Sequence, residues 1–194
     1  MAIRTVIQAG HSSLKKKNEK MVDTKSKKFM KLRKDLIDTM NKTELIGIAA
    51  PQIAENYMVF VTHARNTKSR NLGTEDELRT YVNPKITYQS KKQSLMYEGC
   101  GSVALGDLFG PVLRPKEIEI EAQDENGDKF RLRCDGILAR VILHEYDHLM
   151  GTEFIEKVSD YKKILVGEHY RKTIKNSTQQ KQSSLINKVL YKKV

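Results

Sequence analysis

Apolar positions along this chain recur with two different periods. Phe29, Leu32, Leu36, Ile37 and Met40 fall at helical spacing between Met21 and Met40, with Lys27, Lys28, Lys31 and Lys34 on the other faces. This predicts an amphipathic helix ending near Asn41. Glu117 to Ala122 alternates Glu with Ile, Asp124 to Asp128 is turn-forming, and Phe130 to Cys134 alternates again, which predicts a hairpin. Tyr57 to Thr62 reads as a strand from its aromatic and β-branched content. Tyr81 to Tyr88 reads as another, and Pro84 predicts that it is an edge or bulged strand. Ile3 to Gly10 reads as an extended lead-in, and Arg65 to Arg79, around Gly73, as a polar surface loop. Pro51 argues against a helix through Gly47 to Gln52, where small residues allow close backbone approach.

An apolar run from Gly136 to Leu149 predicts a second helix, with Asp135 as its cap. Tyr161 to Tyr170 reads as helical, Asn176 to Ser184 as a polar linker, and Leu185, Ile186, Val189 and Leu190 as a last helical stretch. The expected class is α+β, with a catalytic domain over residues 1–160 and a basic helical C-terminal extension over 161–194.

Composition narrows the picture. With 194 residues, 39% hydrophobic and 30% charged, the chain fits one globular domain with a core and is not disordered. The net charge of +11 favours polyanionic neighbours, and from Tyr161 onward Glu168 is the single acidic residue. Two cysteines, Cys100 and Cys134, indicate no disulfide framework and favour a reducing compartment, with the cytoplasm as the default. No stretch approaches the roughly 20 apolar residues of a membrane span.

The chemistry centres on His144-Glu145-Tyr146-Asp147-His148. On a helix, two histidines four residues apart share a face and can bind one divalent ion, with Glu145 beside the first as a proton acceptor. The third ligand decides the reaction class. Phe154 stands where one downstream pattern requires a histidine. Glu168, twenty residues after His148, matches the spacing of thermolysin-like metallopeptidases. Cys100, between Gly99 and Gly101, offers a thiolate that with two imidazoles makes an open tetrahedral site. Cys134, at a strand end, is the rival thiol and reads as structural.

Three segments in order resemble the peptide deformylase family, whose pattern is G-φ-G-φ-A-A-x-Q, E-G-C-φ-S and H-E-x-D-H, φ being apolar. They are Leu45-Ile46-Gly47-Ile48-Ala49-Ala50-Pro51-Gln52, Glu98-Gly99-Cys100-Gly101-Ser102 and His144 to His148. The resemblance implies antiparallel sheets packed around a central helix that carries H-E-x-x-H. It implies removal of the formyl group from the N-terminal formyl-methionine of new polypeptides, releasing formate. One divalent ion on Cys100, His144 and His148 follows, with Fe(II) the native ion and Zn(II) or another divalent ion possible. Glu145 is then the base, and the Gln52 amide and the Gly101 N–H are the oxyanion donors. Gly47 pairs with the substrate backbone, and Ile46, Ile137 and Val141 are candidates for the methionine pocket. Arg114 and Glu98 are expected to hold the cysteine loop, and Asp147 to orient the site. The basic tail suits contact with the ribosome or its RNA, and the protein is expected to be monomeric and free of membrane. A non-catalytic relative that binds nascent chains or RNA is the other alternative, weakened by the intact base. Leu45, Gly101, Ala104 and Leu143 depart from the family pattern, which commonly has Gly, Leu, Pro and Gln at these places.

Overall fold

A computed structural model describes residues 3–67, 72 and 74–194. The first helix, α1, spans Lys27–Lys42 and buries Phe29, Leu32, Leu36 and Met40 along one face. It starts later than the apolar spacing suggests because Met21 is taken up elsewhere. The Met21 N–H donates to Asn83 Oδ1 at 2.9 Å, and Asn83 Nδ2 donates to the Met21 carbonyl at 2.8 Å. The Ser26 side chain then caps the helix by accepting from the Phe29 N–H.

β1 (Gly47–Ala49) follows, then a 3-10 turn at Ala50–Ile53, β2 (Val59–Thr62), β3 (Arg79–Gln89), β4 (Gln93–Gly99), β5 (Leu108–Pro115), β6 (Glu117–Gln123) and β7 (Lys129–Asp135). Next come α2 (Gly136–Leu149), β8 (Leu165–Val166), α3 (Gly167–Thr173), α4 (Thr178–Ser184) and β9 (Val189–Lys193). The strands form two antiparallel sheets, one of six strands in the order β1-β2-β3-β6-β7-β9 and one of three in the order β4-β5-β8.

The larger sheet is covered on both faces. Val59, Val61 and Ile48 join α1 in one core, whereas Phe60, Tyr81, Ile118, Ile120 and Leu132 join Leu138 and Ile142 of α2 in another. This explains why β2 reads as a continuous apolar run: successive side chains enter different cores. A third core, of Cys100, Val103, Val112, Phe154 and Val158, lies against the smaller sheet. The helix α2 therefore runs where both sheets meet, touching β1, β2 and β7 on one side and, through Arg140, β4 and β5 on the other.

Several expectations need correction. β3 is bulged between Val82 and Lys85, around Pro84, but it lies inside the sheet between β2 and β6. Asn83 takes a left-handed φ of 51° there, so proline's missing donor falls at the bulge. Asp135 does not cap α2 with its side chain. Its carboxylate accepts instead from the Asn187 and Lys188 N–H groups at 2.8 and 2.9 Å, anchoring the returning tail. Gly136 is at φ 61°, and a Cβ there would meet the Leu185 carbonyl oxygen at 2.1 Å. The C-terminal segment is not simply helical. Tyr161–Lys163 is a 3-10 turn leading to β8, the expected linker contains α4, and Leu185 to Leu190 forms no helix. Val189–Lys193 pairs with the edge of β7 instead, where unpaired backbone groups outweigh a weak helical period. Of the loop from Arg65 to Arg79, Lys68 to Asn71 and Gly73 lie outside the described residues, while Leu72 is buried. No described helix is long and apolar enough to cross a membrane.

Candidate active site

One face of α2 carries Arg140, His144 and His148 at successive four-residue steps. Cys100 arrives from the other direction, directly after β4. Its Sγ lies 3.2 Å from His148 Nε2, and one donor atom each of Cys100, His144 and His148 fall within 4.8 Å of one another. The His144 and His148 rings are edge-on, 5.1 Å apart.

Glu98 fixes this arrangement from behind. Its carboxylate is buried and accepts from Arg114 Nε and Nη2 at 2.7 and 3.0 Å and from Arg140 Nη1 at 2.7 Å. It also lies 3.0 Å from His144 Nδ1. An ionised carboxylate only accepts, so Nδ1 carries the proton and Nε2 is left to face Cys100. Burial alone would raise the Glu98 pKa, but Arg114 and His144 hold it far below the usual carboxylate range. Arg114 also donates Nη1 to Asp147 at 2.6 Å. The two histidines are pushed apart. Burial disfavours charge on His144, but hydrogen bonds to Cys100 and Glu98 carry its pKa well above the usual value. Burial and the neighbouring His144 push His148 well below it. A thiol and two buried imidazoles whose donor atoms converge fit a divalent cation.

Glu145 stands beside this cluster. It is buried, its Oε2 has no hydrogen-bond partner among the described residues, and burial pushes its pKa up to about 7. Room for it exists because residue 47 is glycine: a Cβ there would meet Glu145 Oε1 at 2.6 Å and Val141 Cγ2 at 2.5 Å. On the opposite side, Gln52 accepts from the Ala49 N–H at 2.8 Å, which turns its Nε2 towards Cys100 Sγ at 3.5 Å and Ser102 Oγ at 3.3 Å. The N-terminal lead-in ties these pieces together. Ile7 N–H donates to the Gln52 carbonyl, Ala9 N–H to that of Ser102, and Gln8 Nε2 to that of Gly101, at 2.9, 2.7 and 2.9 Å.

A thiol, two histidines on one helix and a buried carboxylic acid with a free oxygen make a hydrolytic centre. Comparison with known proteins decides which one. A family model described as polypeptide deformylase matches residues 3–164. This chain belongs to the peptide deformylase family. Peptide deformylase 2 of Clostridium perfringens is 36% identical over 160 residues, which covers 82% of this chain and 96% of that protein. Among solved structures, a probable peptide deformylase from synechococcus phage S-SSM7 is 35% identical with a TM-score of 0.68, covering 78% of this chain and 97% of that one. The Met-Ala-Ser-bound class I type b peptide deformylase of Acinetobacter baumannii is 28% identical with a TM-score of 0.76, covering 80% and 98%. Deformylases are metal-dependent enzymes that act on nascent formyl-peptides.

Within this deformylase fold, the two rival ligands stand elsewhere. Glu168 is exposed on α3 and pairs with Lys172 at 2.7 Å. Cys134 is buried in β7 among core side chains, and burial pushes its thiol far up. Ile46 and Val141 are buried in the α2 core, and Ile137 packs on the same cluster. Arg140 and Gln8 join the site without having been singled out from sequence, and Ser102, quoted only as part of the cysteine motif, lies beside Gln52. Arg140 had a visible signal, being a charged residue inside an apolar helical run, one turn before His144. Gln8 had none, because its bonds reach across more than ninety positions of the chain.

Proposed function

We infer that this chain removes the formyl group from the N-terminal formyl-methionine of newly made polypeptides and releases formate. The observation that carries the reading is the convergence of Cys100, His144 and His148 beside the unpartnered, buried oxygen of Glu145. Cys100, His144 and His148 would hold one divalent ion, Fe(II) as the native choice with Zn(II) possible. When bound, that ion lowers the pKa of water and polarises the formyl carbonyl.

The chain's own residues do the rest. β1 ends the larger sheet among the described residues, and the substrate backbone would pair with its outer edge as an added strand along Ile46 and Gly47. Ile46, Ile137 and Val141 would line the methionine pocket. Gln52 Nε2, with the Gly101 N–H, would donate to the formyl oxygen as negative charge develops. Glu145 would take a proton from the attacking water and deliver it to the departing amine as the C–N bond breaks. A carboxyl poised near neutrality suits both transfers. Arg114 and Arg140 hold Glu98, which orients His144; Asp147 secures Arg114.

The same reading has the enzyme acting as a cytoplasmic monomer, with the basic segment after Tyr161 resting near ribosomal RNA. Co-sedimentation with ribosomes that is unchanged on deleting residues 161–194 would remove that last part. Formate release from formyl-Met-Ala-Ser by anaerobically purified protein, with metal content measured, tests the reaction. Cleavage of a peptide bond with no formate would refute it.

A further inference from the structure

Gly101 sits between the metal-ligand candidate Cys100 and the oxyanion side of the site, yet nothing in its backbone demands glycine. It is not among the residues at left-handed φ, and no backbone atom crowds it. The obstruction is a side chain. A Cβ at residue 101 would meet Leu45 Cδ1 at 3.2 Å and Cδ2 at 3.6 Å, with Val6 Cγ1 also at 3.6 Å. Leu45 itself is held firmly. At the end of α1, Glu44 takes a left-handed φ of 57°, its N–H donates to the Asn41 carbonyl, and Leu45 N–H donates to that of Met40 at 3.0 Å. This is the paired closure that fixes the residue after a left-handed helix cap. The Leu45 carbonyl also accepts from Arg65 Nη1 at 3.0 Å.

We propose that Leu45 and Gly101 share one side-chain position, so that the wall above the cysteine loop is furnished from the lead into β1, and that this wall limits the second residue of the substrate peptide. The second half rests on the deformylase reading. With the formyl group at Gln52 and Glu145, a peptide on the edge of β1 leaves the site past Gly47 and Ile46. At roughly 3.3 Å per residue, its second residue then lies level with Leu45. A leucine reaching from there to Gly101 leaves room for a small side chain and obstructs a bulky one.

Four proteins test this: the natural chain, Leu45→Gly, Gly101→Leu and the double exchange. Melting temperatures with and without chelator read the packing independently of activity, and formate release from formyl-Met-Xaa-Ser reads the cleft, with Xaa as Ala, Leu or Phe. Gly101→Leu alone should melt about 3–10 °C lower through overpacking and lose about tenfold or more in kcat/KM. The double exchange should recover most of both. Leu45→Gly should raise kcat/KM for Phe relative to Ala at the second residue about fivefold or more. Additive melting shifts in the double exchange would overturn the shared position. An unchanged second-residue preference would overturn the cleft wall. If the natural chain released no formate while the melting shifts still cancelled, the reaction would fall and the shared position would stand.

Discussion

Arg140→Met isolates the buried ionic support of the site. Arg140 donates to Glu98 Oε1 at 2.7 Å, to the Val112 carbonyl at 3.0 Å and to the Ser94 carbonyl at 2.6 Å, and only 5% of the residue is exposed. Methionine keeps the apolar stem but ends where the guanidinium begins, and it removes all three hydrogen bonds. Removing one partner of a buried ion pair costs about 3–5 kcal/mol. Here the loss falls at the low end, because Arg114 keeps its two-pronged grip on Glu98 and His144 remains. Two carbonyls left without this donor add about 1 kcal/mol or more each unless water reaches them. A net loss of about 3–5 kcal/mol follows, the lower figure if water reaches both carbonyls, or roughly 6–20 °C in melting temperature for a chain of this size. Urea unfolding of the chelated protein is the proper assay, since a bound ion would shift the apparent stability. Arg140→Met paired with Glu98→Gln in a double-mutant cycle should give coupling above about 1 kcal/mol. A single-variant loss below about 1 kcal/mol, with additive behaviour in the cycle, would refute the claim that Arg140 supports Glu98.

Gln52→Ala should lower kcat for formyl-peptide about 100- to 1,000-fold with KM little changed, because the lost donor acts on developing charge; an unchanged kcat would move the oxyanion contact elsewhere. Cys100→Ser should abolish tight metal binding by elemental analysis while Glu168→Ala retains it, and the reverse result would restore the peptidase ligand set. Glu145 gives a pH signature in the chelated protein. Its folded pKa, about 7, lies above the ordinary carboxylate value, so the folded state binds the extra proton and stability falls as pH rises from about 4.5 to 7. Glu145→Gln should therefore be the more stable protein at pH 8, by up to about 3 kcal/mol, and equal to the natural chain near pH 4. Denaturation curves at the two pH values would expose the opposite order.

The site was legible in sequence wherever its residues lie in short contiguous patterns. His144, Glu145 and His148 declare themselves by helical spacing, Cys100 by its flanking glycines, and Gln52 only through the family resemblance. What holds them was less legible. Arg140 and Gln8 bond across distant segments, and such pairings leave no local period. The fold behaved likewise. The hairpin of β6 and β7 was readable because both partners and the turn are adjacent. The tail was not, because Val189–Lys193 becomes a strand only through the free edge of β7. Asp135 shows the same limit: its sequence position suits a helix cap, yet the tail's two N–H groups claim its carboxylate.

These cases converge on Glu98. The residue belongs to β4, Arg114 to β5, and Arg140, His144 and Asp147 to α2. One buried carboxylate therefore joins the smaller sheet to the helix, and the proposed metal ligands are divided along the same seam, with Cys100 on the sheet side and the histidines on the helix. The spacing of these residues thus depends on a buried ion network behind them. Such a network needs its cations as much as its carboxylate, since an unpaired Glu98 at this depth would be expelled or protonated. Arg114 and His144 keep it ionised, and Arg140 donates to it beside them. The pattern in the sequence marks the ligands, but their geometry is set by charges placed one layer behind them.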